Sequence, residues 1–327
     1  MRDESDARVS ERVAESLGIR DTSSELRVLT LSDLLSLEMP EREVILDPWL
    51  LGQSLCMVHA WRGVGKTFLA LNVAYAVATG GAYLTWRAHR PRRVLYLDGE
   101  MPATALRERL AAIVKADERE FDPSFLRILT PDVQPGHMPD LARADGQAAI
   151  EAIIGDAELI VVDNISTLVR DVYRENDAES WRDVGAWALR MRRQGKAVLF
   201  VHHSGKGGTQ RGSSKKEDTL DVVIALRQPS DYLPEQGARF EVHFEKYRNG
   251  AGDETKSIEA QLAPGPDGNP IWTWRSAEDT MFDRVVALAR EGFKARDISE
   301  ELGRHKSVIS RHLSKARSLG MLEGAAK

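Results

Sequence analysis

The amino-acid sequence predicts an α/β protein whose twisted, mainly parallel sheet is flanked by helices. Short apolar runs of strand length alternate with helical patterns between residues 55 and 201. A glycine-rich turn joins one such run, 55–59, to a helix-forming run at 68–78, and aspartates end two other runs, 94–98 and 159–163. Apolar strands that alternate with helices are typical of parallel sheets covered on both faces.

The composition limits the class of protein. The chain has 327 residues, of which 42% are hydrophobic, and this length favours about two domains with a full core. A net charge of −5 excludes an overall basic field, so a nucleic-acid surface would have to be local. The single cysteine, Cys56, excludes an internal disulfide and a multi-cysteine metal site. No apolar run reaches the ~18 residues of a membrane span and no signal peptide is recognisable, so we expect a cytoplasmic protein with no membrane partner.

The segment Ala60–Thr67 fits a phosphate-binding loop. It follows the pattern G-x-x-x-x-G-K-[ST], except that Ala60 stands where the first glycine usually lies. A strand, a glycine turn and a helix start place backbone N–H groups and the positive end of a helix dipole around a phosphate. We expect Lys66 to reach the β- and γ-phosphates of ATP and Thr67 to bind Mg²⁺. The expected nucleotide-binding residues are Arg62, Gly63, Val64, Gly65, Lys66, Thr67 and Phe68. The alternative is a chance glycine turn before a core helix.

Two acidic residues lie where predicted strands end. Glu100 follows the run 94–98, and Asp163 ends the apolar run 159–163. Since the carboxyl ends of parallel strands meet at one edge of a sheet, both side chains should face the phosphate site. Asp163 matches the pattern of a Walker B aspartate, which holds Mg²⁺ through its water shell. The alternative is an aspartate that caps the next turn.

A histidine pair and a basic segment follow the buried run 197–201. His202 and His203 are adjacent on a strand and point to opposite faces, which argues against a shared metal and leaves one of them as a polar sensor of the γ-phosphate. The segment 204–216 is rich in glycine and basic residues and has no hydrophobic side chain. It is either a solvated loop or a segment that binds the phosphates of a nucleic-acid backbone. Its DNA-binding candidates are Lys206, Arg211, Lys215 and Lys216.

Other patterns complete the first domain. A helix is predicted over 175–194, with Trp181 and Trp187 at core-facing spacing, which favours packing over base stacking. Three strands are predicted at 220–226, 240–247 and 257–262. The turns spaced between them suggest an antiparallel extension of the sheet.

The composition changes to short helices after about residue 276. Helices are predicted at 281–290, 295–302 and 305–319, with a glycine after each of the first two, and this spacing is that of a helix-turn-helix. Polar and basic residues, His312 among them, are expected at the start and outer face of the third helix, and 320–323 could begin a wing. The DNA-binding candidates are Lys306, Ser307 and Arg311. The alternative is a helical protein-interaction cap with a solvated basic face.

Four sequence blocks occur in a recognisable order: 63–67 (GVGKT), 96–102 (YLDGEMP), 160–164 (IVVDN), and 202–206 (HHSGK) with 211–214 (RGSS). This set, within about residues 40–275, resembles RecA-fold hexameric ATPases, specifically RepA-type plasmid replicative helicases and their AAA-type relatives in phages and mobile elements. The resemblance implies that Glu100 is the general base, that Asp163 serves magnesium and that His203 senses the γ-phosphate. It also implies that Lys246 and Arg248 form a K-x-R finger that completes the site of a neighbouring subunit. The alternative for this pair is a solvated strand end.

The resemblance implies a RecA-like ATPase domain, placed at 28–275. Composition and helix spacing predict a polar arm at 1–27 before it and a helix-turn-helix domain at 276–327 after it, and the latter lies outside the pattern of the plasmid helicases. The leading expectation is a homo-hexameric, Mg-ATP-dependent motor, with single-stranded DNA in its channel and duplex at its C-terminal domain, acting as a replicative helicase. One alternative is a regulatory DNA-binding ATPase that does not unwind DNA. A RecA-like recombinase, which would form filaments, is a third.

Overall fold

The structure, a computed structural model, describes residues 28–39, 41–117, 119–169, 177–204, 218–248, 250, 252–266 and 268–322. Within these ranges the strands are β1 (Val44–Leu46), β2 (Leu50–Leu51), β3 (Leu55–Ala60), β4 (Ala82–Tyr83), β5 (Trp86–Arg87), β6 (Val94–Asp98), β7 (Leu126–Leu129), β8 (Leu159–Asp163), β9 (Ala197–His203), β10 (Val222–Arg227), β11 (Arg239–Tyr247), β12 (Ile258–Pro264) and β13 (Pro270–Ser276).

The α-helices of the same ranges lie between and after these strands. They are α1 (Leu31–Ser36), α2 (Lys66–Thr79), α3 (Ala103–Lys115), α4 (Ala144–Ile154), α5 (Ile165–Leu168), α6 (Asp177–Arg193), α7 (Ala277–Arg290), α8 (Ala295–Glu301) and α9 (Lys306–Ser318). None of the helices in the described ranges is both long and apolar enough to cross a bilayer.

A large mixed sheet runs through the centre of the described chain, in the order β13-β12-β11-β10-β3-β9-β8-β6-β7. The strands from β10 to β7 pair in parallel, and β10 to β13 pair with one another antiparallel. The α/β class and the mainly parallel sheet are therefore confirmed, and β7 is an edge strand.

The start of the antiparallel extension differs from the prediction. The sequence predicts that the strand at 220–226 belongs to the extension, but β10 pairs in parallel with β3, Val222 beside Cys56. The residues Val222–Leu226 are all buried, and a continuous apolar run is typical of a parallel strand that is covered on both faces. The antiparallel part therefore begins only at β11.

Helices cover both faces of the parallel strands. On one face α2 and α3 pack over Val58, Tyr96 and Val161, and on the other α4 and α6 pack over alternate residues such as Phe200. Trp181 and Trp187 of α6 are buried in this second layer, and Cys56 is buried in the first. The packing roles predicted for the two tryptophans are confirmed. The layers place the carboxyl ends of β3, β9, β8 and β6 side by side along one edge of the sheet.

Three helices follow the last strand without a break. They share an apolar core that includes Met281, Val285, Ile298 and Leu313. The sequence places His312 on the outer face of the third helix, which is wrong: the ring is buried and lies 6.0 Å from the ring of Phe282. One turn of α9 separates His312 from Ile309 and Ala316, and so the ring shares their inward face. Of the expected wing, residue 323 lies outside the described ranges.

Candidate nucleotide-binding site

The phosphate loop joins the end of β3 to the start of α2. Gly63 and Gly65 have φ values of +80° and +123°, a backbone conformation that favours glycine. A Cβ on Gly65 would also lie 2.8 Å from the ring of Phe240, so the position excludes a side chain. Helix α2 begins at Lys66 without a side-chain cap, which leaves its first N–H groups available to an anion.

Lys66 lies inside this loop. Its Nζ donates to the carbonyl oxygens of Ala60 and Trp61, at 3.1 Å each, and its side chain is almost fully buried. Burial lowers the pKa of Lys66 to about 8, against the opposing charges of Asp163 and Glu100. The charge of Arg62 lowers the pKa further. An anionic phosphate in the loop would relieve this cost and favour the charged ammonium.

Asp163 lies at the tip of β8, opposite the loop. The Tyr96 hydroxyl donates to Asp163 Oδ2 at 2.6 Å, and the Thr67 side chain also hydrogen-bonds to this carboxyl group. Burial raises the pKa of Asp163 to about 6 in spite of these bonds, and the neighbouring Asp98 adds to the increase. A buried carboxylate whose ionised form is disfavoured is stabilised by a cation.

Asp98, at the tip of β6, holds the turn that carries Glu100. The two aspartates Asp98 and Asp163 are partners in the parallel register of β6 and β8. Asp98 Oδ1 accepts the backbone N–H of Glu100 at 3.3 Å, and Oδ2 accepts the Thr130 hydroxyl at 2.9 Å. Burial raises the pKa of Asp98, and these bonds oppose the increase.

A polar triad stands beside the loop. The Asn164 amide donates to Glu100 Oε2 and lies 3.2 Å from Nε2 of His203. Nε2 of His203 is 3.5 Å from the same Glu100 oxygen. Burial and then the charge of Lys66 lower the pKa of His203, so the neutral imidazole is favoured. The Glu100 side chain remains 57% exposed, within reach of a water molecule.

These residues fit a magnesium–nucleotide complex. The loop offers N–H groups and one buried ammonium to the phosphates, while Thr67 and Asp163 offer a hydroxyl and a carboxylate, the oxygen donors that Mg²⁺ prefers. Burial raises the pKa of Asp163 even though the charge of Lys66 opposes the increase, so a further cation at this carboxylate would be favourable. The structure thus brings Lys66, Thr67, Glu100, Asp163 and His203 together at one edge of the sheet.

Lys246 and Arg248 lie at the opposite edge of the sheet, where the parallel strands β3 and β10 begin. Tyr247, between them, pairs with Val222, which lies beside Cys56 near the start of β3. Ala60 is four positions after Cys56, so Tyr247 lies about 13 Å from the end of β3 along the strand direction. Lys246 pairs with Val223, which lies beside Met57, and is about 10 Å from that end. The Arg248 guanidinium donates to the Asp218 carbonyl at 2.6 Å, and the Arg248 N–H donates to the Asp221 carbonyl at 3.0 Å. The pair cannot reach the phosphates held by its own chain.

The DNA-binding candidates fall in two places. Lys206, Arg211, Lys215 and Lys216 lie outside the described residues, in the interval between 204 and 218. Lys306, Ser307 and Arg311 are exposed on α9. His305 caps this helix by accepting the backbone N–H of Ser307.

Sequence reasoning missed four residues of the site. It gave no role to Tyr96, Asp98, Thr130 or Asn164, although three of them lie in or beside the recognisable blocks. The aspartate at the end of 94–98 was a usable signal, since it occupies the same strand-end position as Asp163. Thr130 offered none, because it approaches Asp98 only through the pairing of β6 with β7.

Comparisons with known proteins bear on the family. Among solved structures, the chain is similar to a KaiC-like protein from the hyperthermophilic archaeon Pyrococcus horikoshii OT3, with 14% identity and a TM-score of 0.46 over 70% of this chain and 93% of that one. A family model described as an AAA domain matches residues 20–209, which are 190 of the 327 residues. The match includes the phosphate loop, Glu100, Asp163 and His203, and it ends before Lys246. The chain therefore belongs to this AAA domain family of P-loop ATPases.

Proposed function

We propose that the protein is a Mg-ATP-dependent motor ATPase that assembles as a hexameric ring on single-stranded DNA and acts as a replicative helicase of a plasmid, phage or mobile element. One observation carries the proposal furthest. The nucleotide-binding residues and the basic pair Lys246/Arg248 lie at opposite edges of one sheet. Both positions are explained if Lys246 and Arg248 of one copy complete the nucleotide site of the next copy in a ring.

The residues of one copy have distinct tasks in hydrolysis. Glu100, oriented by Asn164, accepts a proton from the water that attacks the γ-phosphorus, while the bond to the leaving ADP oxygen breaks. Lys66 neutralises charge on the phosphoryl oxygens, and His203 contacts the γ-phosphate beside Glu100. Thr67 and Asp163 would hold a magnesium ion, which would supply further charge neutralisation. The products are ADP and inorganic phosphate.

The neighbouring copy supplies the remaining cations in this proposal. Arg248, with Lys246, would reach the phosphates across the subunit boundary and stabilise transition-state charge as an arginine finger does. Its bond to the Asp218 carbonyl is a contact with one oxygen, which can be exchanged for a charge-assisted bond to phosphate. Turnover then depends on assembly.

The proposed DNA contacts involve the basic segment 204–216. The basic segment that holds Lys206, Arg211, Lys215 and Lys216 starts after Ser204, whose N–H donates to the Ala60 carbonyl at the phosphate loop. The nucleotide state of the site is thereby coupled to binding of the DNA backbone in the channel. The resemblance to RepA-type helicases supports single-stranded DNA as the occupant.

The test combines an activity with a mass. ATP turnover is measured without DNA, with single-stranded DNA and with duplex, alongside particle mass by light scattering and strand displacement on a forked duplex. We expect a six-copy particle that single strands stimulate and that separates the fork. A particle without single-strand stimulation or displacement contradicts the motor, and filaments would point to a recombinase instead.

A second candidate is a regulatory DNA-binding ATPase that does not unwind DNA. The observation that favours it is a set of ion pairs that join the C-terminal helices to the sheet. Arg284 of α7 lies 3.0 Å from Asp231 and also pairs with Glu259 of β12. Arg304, just before α9, lies 3.4 Å from Glu241 of β11. Duplex binding through α9, with ATP turnover that ignores single strands, would select this function.

A further inference from the structure

The outer face of α1 is apolar and uncovered in the described chain. Leu31, Leu34 and Leu35 are 73%, 54% and 76% exposed, and none of the helix residues is buried. The spacing i, i+3, i+4 places the three leucines on one side of the helix. Thr30 and Asp33 form a capping box, so local hydrogen bonds define this helix without any packing partner. A cluster of exposed leucines on a capped helix is typical of an interaction surface.

A groove of suitable character opens between α2, α3 and β13. It has a volume of about 640 Å³, and apolar and aromatic side chains form most of its wall. The Trp272 ring makes edge contacts with Phe68 at 6.5 Å and with Tyr83 at 5.5 Å, which holds the wall in one shape. The Arg109 guanidinium lies 4.3 Å above the Phe68 ring, and the wall of the groove also includes Glu108 and Asp117. Helices with apolar faces bind in grooves of this kind.

The positions of the two surfaces relate them to the phosphate loop. Arg42, six residues after the end of α1, lies 3.9 Å from the Asp221 carboxylate, and the Asp221 carbonyl accepts the N–H of Arg248. Helix α1 therefore leaves the fold at the sheet edge that carries Arg248. The groove begins at Phe68, directly after Thr67. A copy that brings Arg248 to a neighbour's phosphates also brings its α1 towards that neighbour's groove.

We propose that the leucine face of α1 in one copy docks in the groove between α2, α3 and β13 of a second copy. The contact joins two different surfaces, so its repetition about an axis can close a ring. It rests on the proposed function for the closure of the ring, and on the apolar character and the positions of the two surfaces for their pairing. Docking of α1 would then hold Arg248 close to the site that it completes.

Single engineered cysteines test the pairing. The native Cys56 is fully buried, which protects it during mild oxidation of the folded chain. Full-length Leu34→Cys chains are mixed in equal amounts with Ala112→Cys chains, since Ala112 lines the groove on α3. In the matched control, a Val133→Cys chain takes the place of the Leu34→Cys chain, since Val133 is apolar and 67% exposed. We expect a disulfide between the two different chains in at least about tenfold excess over the control, because docking raises the effective concentration.

Three results would overturn the proposal. One is cross-linking no faster than in the control, and another is a product that joins only two Leu34→Cys chains. The third concerns a chain that carries both substitutions. If this chain, diluted with wild-type chains, forms its disulfide only within itself, the two surfaces meet in one copy and not between copies. A Leu34→Asp/Leu35→Asp chain gives an independent readout, and its association should weaken about tenfold or more while Val133→Asp has no such effect.

The outcome separates docking from the motor function. If the mixed disulfide forms but single-stranded DNA does not stimulate turnover, the docking stands and the motor proposal fails. If single strands stimulate a hexamer in which no mixed disulfide forms, the motor stands and the docking fails.

Discussion

One carboxylate oxygen of Asp98 accepts the backbone N–H of Glu100 at 3.3 Å, and the same oxygen accepts that of Met101 at 3.1 Å. Asp98 is almost fully buried, and its second oxygen is bonded to Thr130. Asp98 at the end of β6 therefore holds the turn that carries Glu100, and Thr130, directly after β7, holds Asp98. In the proposed mechanism Asp98 is a positioning residue for the general base.

Asp98→Ala should lower kcat by about 10²-fold and leave the Kd for ATP within a few-fold of the wild-type value, because a small displacement of Glu100 affects the reaction more than binding. Asp98→Asn keeps an acceptor oxygen for the turn and should recover most of the loss. Steady-state turnover and titration with a fluorescent nucleotide separate the two quantities. Equal losses in kcat and affinity, with no rescue by asparagine, would indicate a general structural role.

Glu100→Gln should bind Mg-ATP and hydrolyse it about 10²- to 10⁴-fold more slowly, since glutamine keeps the size of the side chain but accepts no proton. Single-turnover hydrolysis of bound ATP measures this step directly. Glu291→Gln, exposed just after the last turn of α7, is the matched control and should retain wild-type turnover. A Glu100→Gln chain as active as the control would remove Glu100 from the mechanism.

Arg248→Ala should abolish turnover while isolated copies still bind ATP, because the guanidinium acts at a neighbour's site. Lys66→Ala should be inactive because its own site is incomplete. An equal mixture of the two inactive chains should regain turnover at up to about a quarter of its subunit boundaries, where an intact site meets an intact finger. The mixture is compared with each variant alone. Absence of any gain on mixing, in a particle of unchanged mass, argues against a finger supplied in trans.

The attachment of the C-terminal helices should depend on the charge of Glu241. Burial raises the pKa of Glu241, but the hydrogen bond to His243 and the charges of His243, Arg304 and Arg284 outweigh burial, so the folded-state pKa lies below the ordinary 4.5. A lowered carboxyl pKa stabilises the fold above the unfolded-state value, and this stabilisation is lost as the pH falls through the folded-state value.

Glu241→Gln should therefore lower the free energy of unfolding by about 1–3 kcal/mol at pH 7, and the difference from the wild type should shrink below about pH 4.5. Urea unfolding at a series of pH values measures both effects. Glu278→Gln, exposed in the first turn of α7, serves as the control. A difference that stays constant down to pH 3 would show that the charge of Glu241 is not what stabilises the contact.

Lys306→Ala/Arg311→Ala should weaken duplex binding and reduce the slope of log K against log salt by about 2, one unit for each lost phosphate contact. Basal ATP turnover should not change, because α9 carries none of the nucleotide-binding residues. Fluorescence anisotropy at several salt concentrations measures the slope, with Arg296→Ala/Lys294→Ala at the start of α8 as the control pair. Identical slopes for the two pairs would favour the protein-interaction cap.

Much of the site can be predicted because its signals are local. The strands 94–98 and 159–163 occur with the predicted bounds, and α2 begins at the lysine of the loop pattern. Each depends on a short apolar run or on a turn that requires glycine. The parallel pairing of β10 was not predictable in this way, since its apolar run fits either orientation and only its neighbour β3 decides between them.

The sequence by itself determined the α/β class, the phosphate loop and the acidic strand ends, because apolar periodicity and glycine turns act over fewer than about 15 residues. Only the tertiary structure decided which side chains meet. Asn164 reaches Glu100 across 64 positions of the chain, and Tyr96 reaches Asp163 across 67, through a strand order that no local pattern encodes. The same strand order carries Arg248 to the far edge of the sheet, since β11 runs antiparallel to β10. Strand pairing is a contact between distant segments, and its free energy depends on all the layers that pack around it.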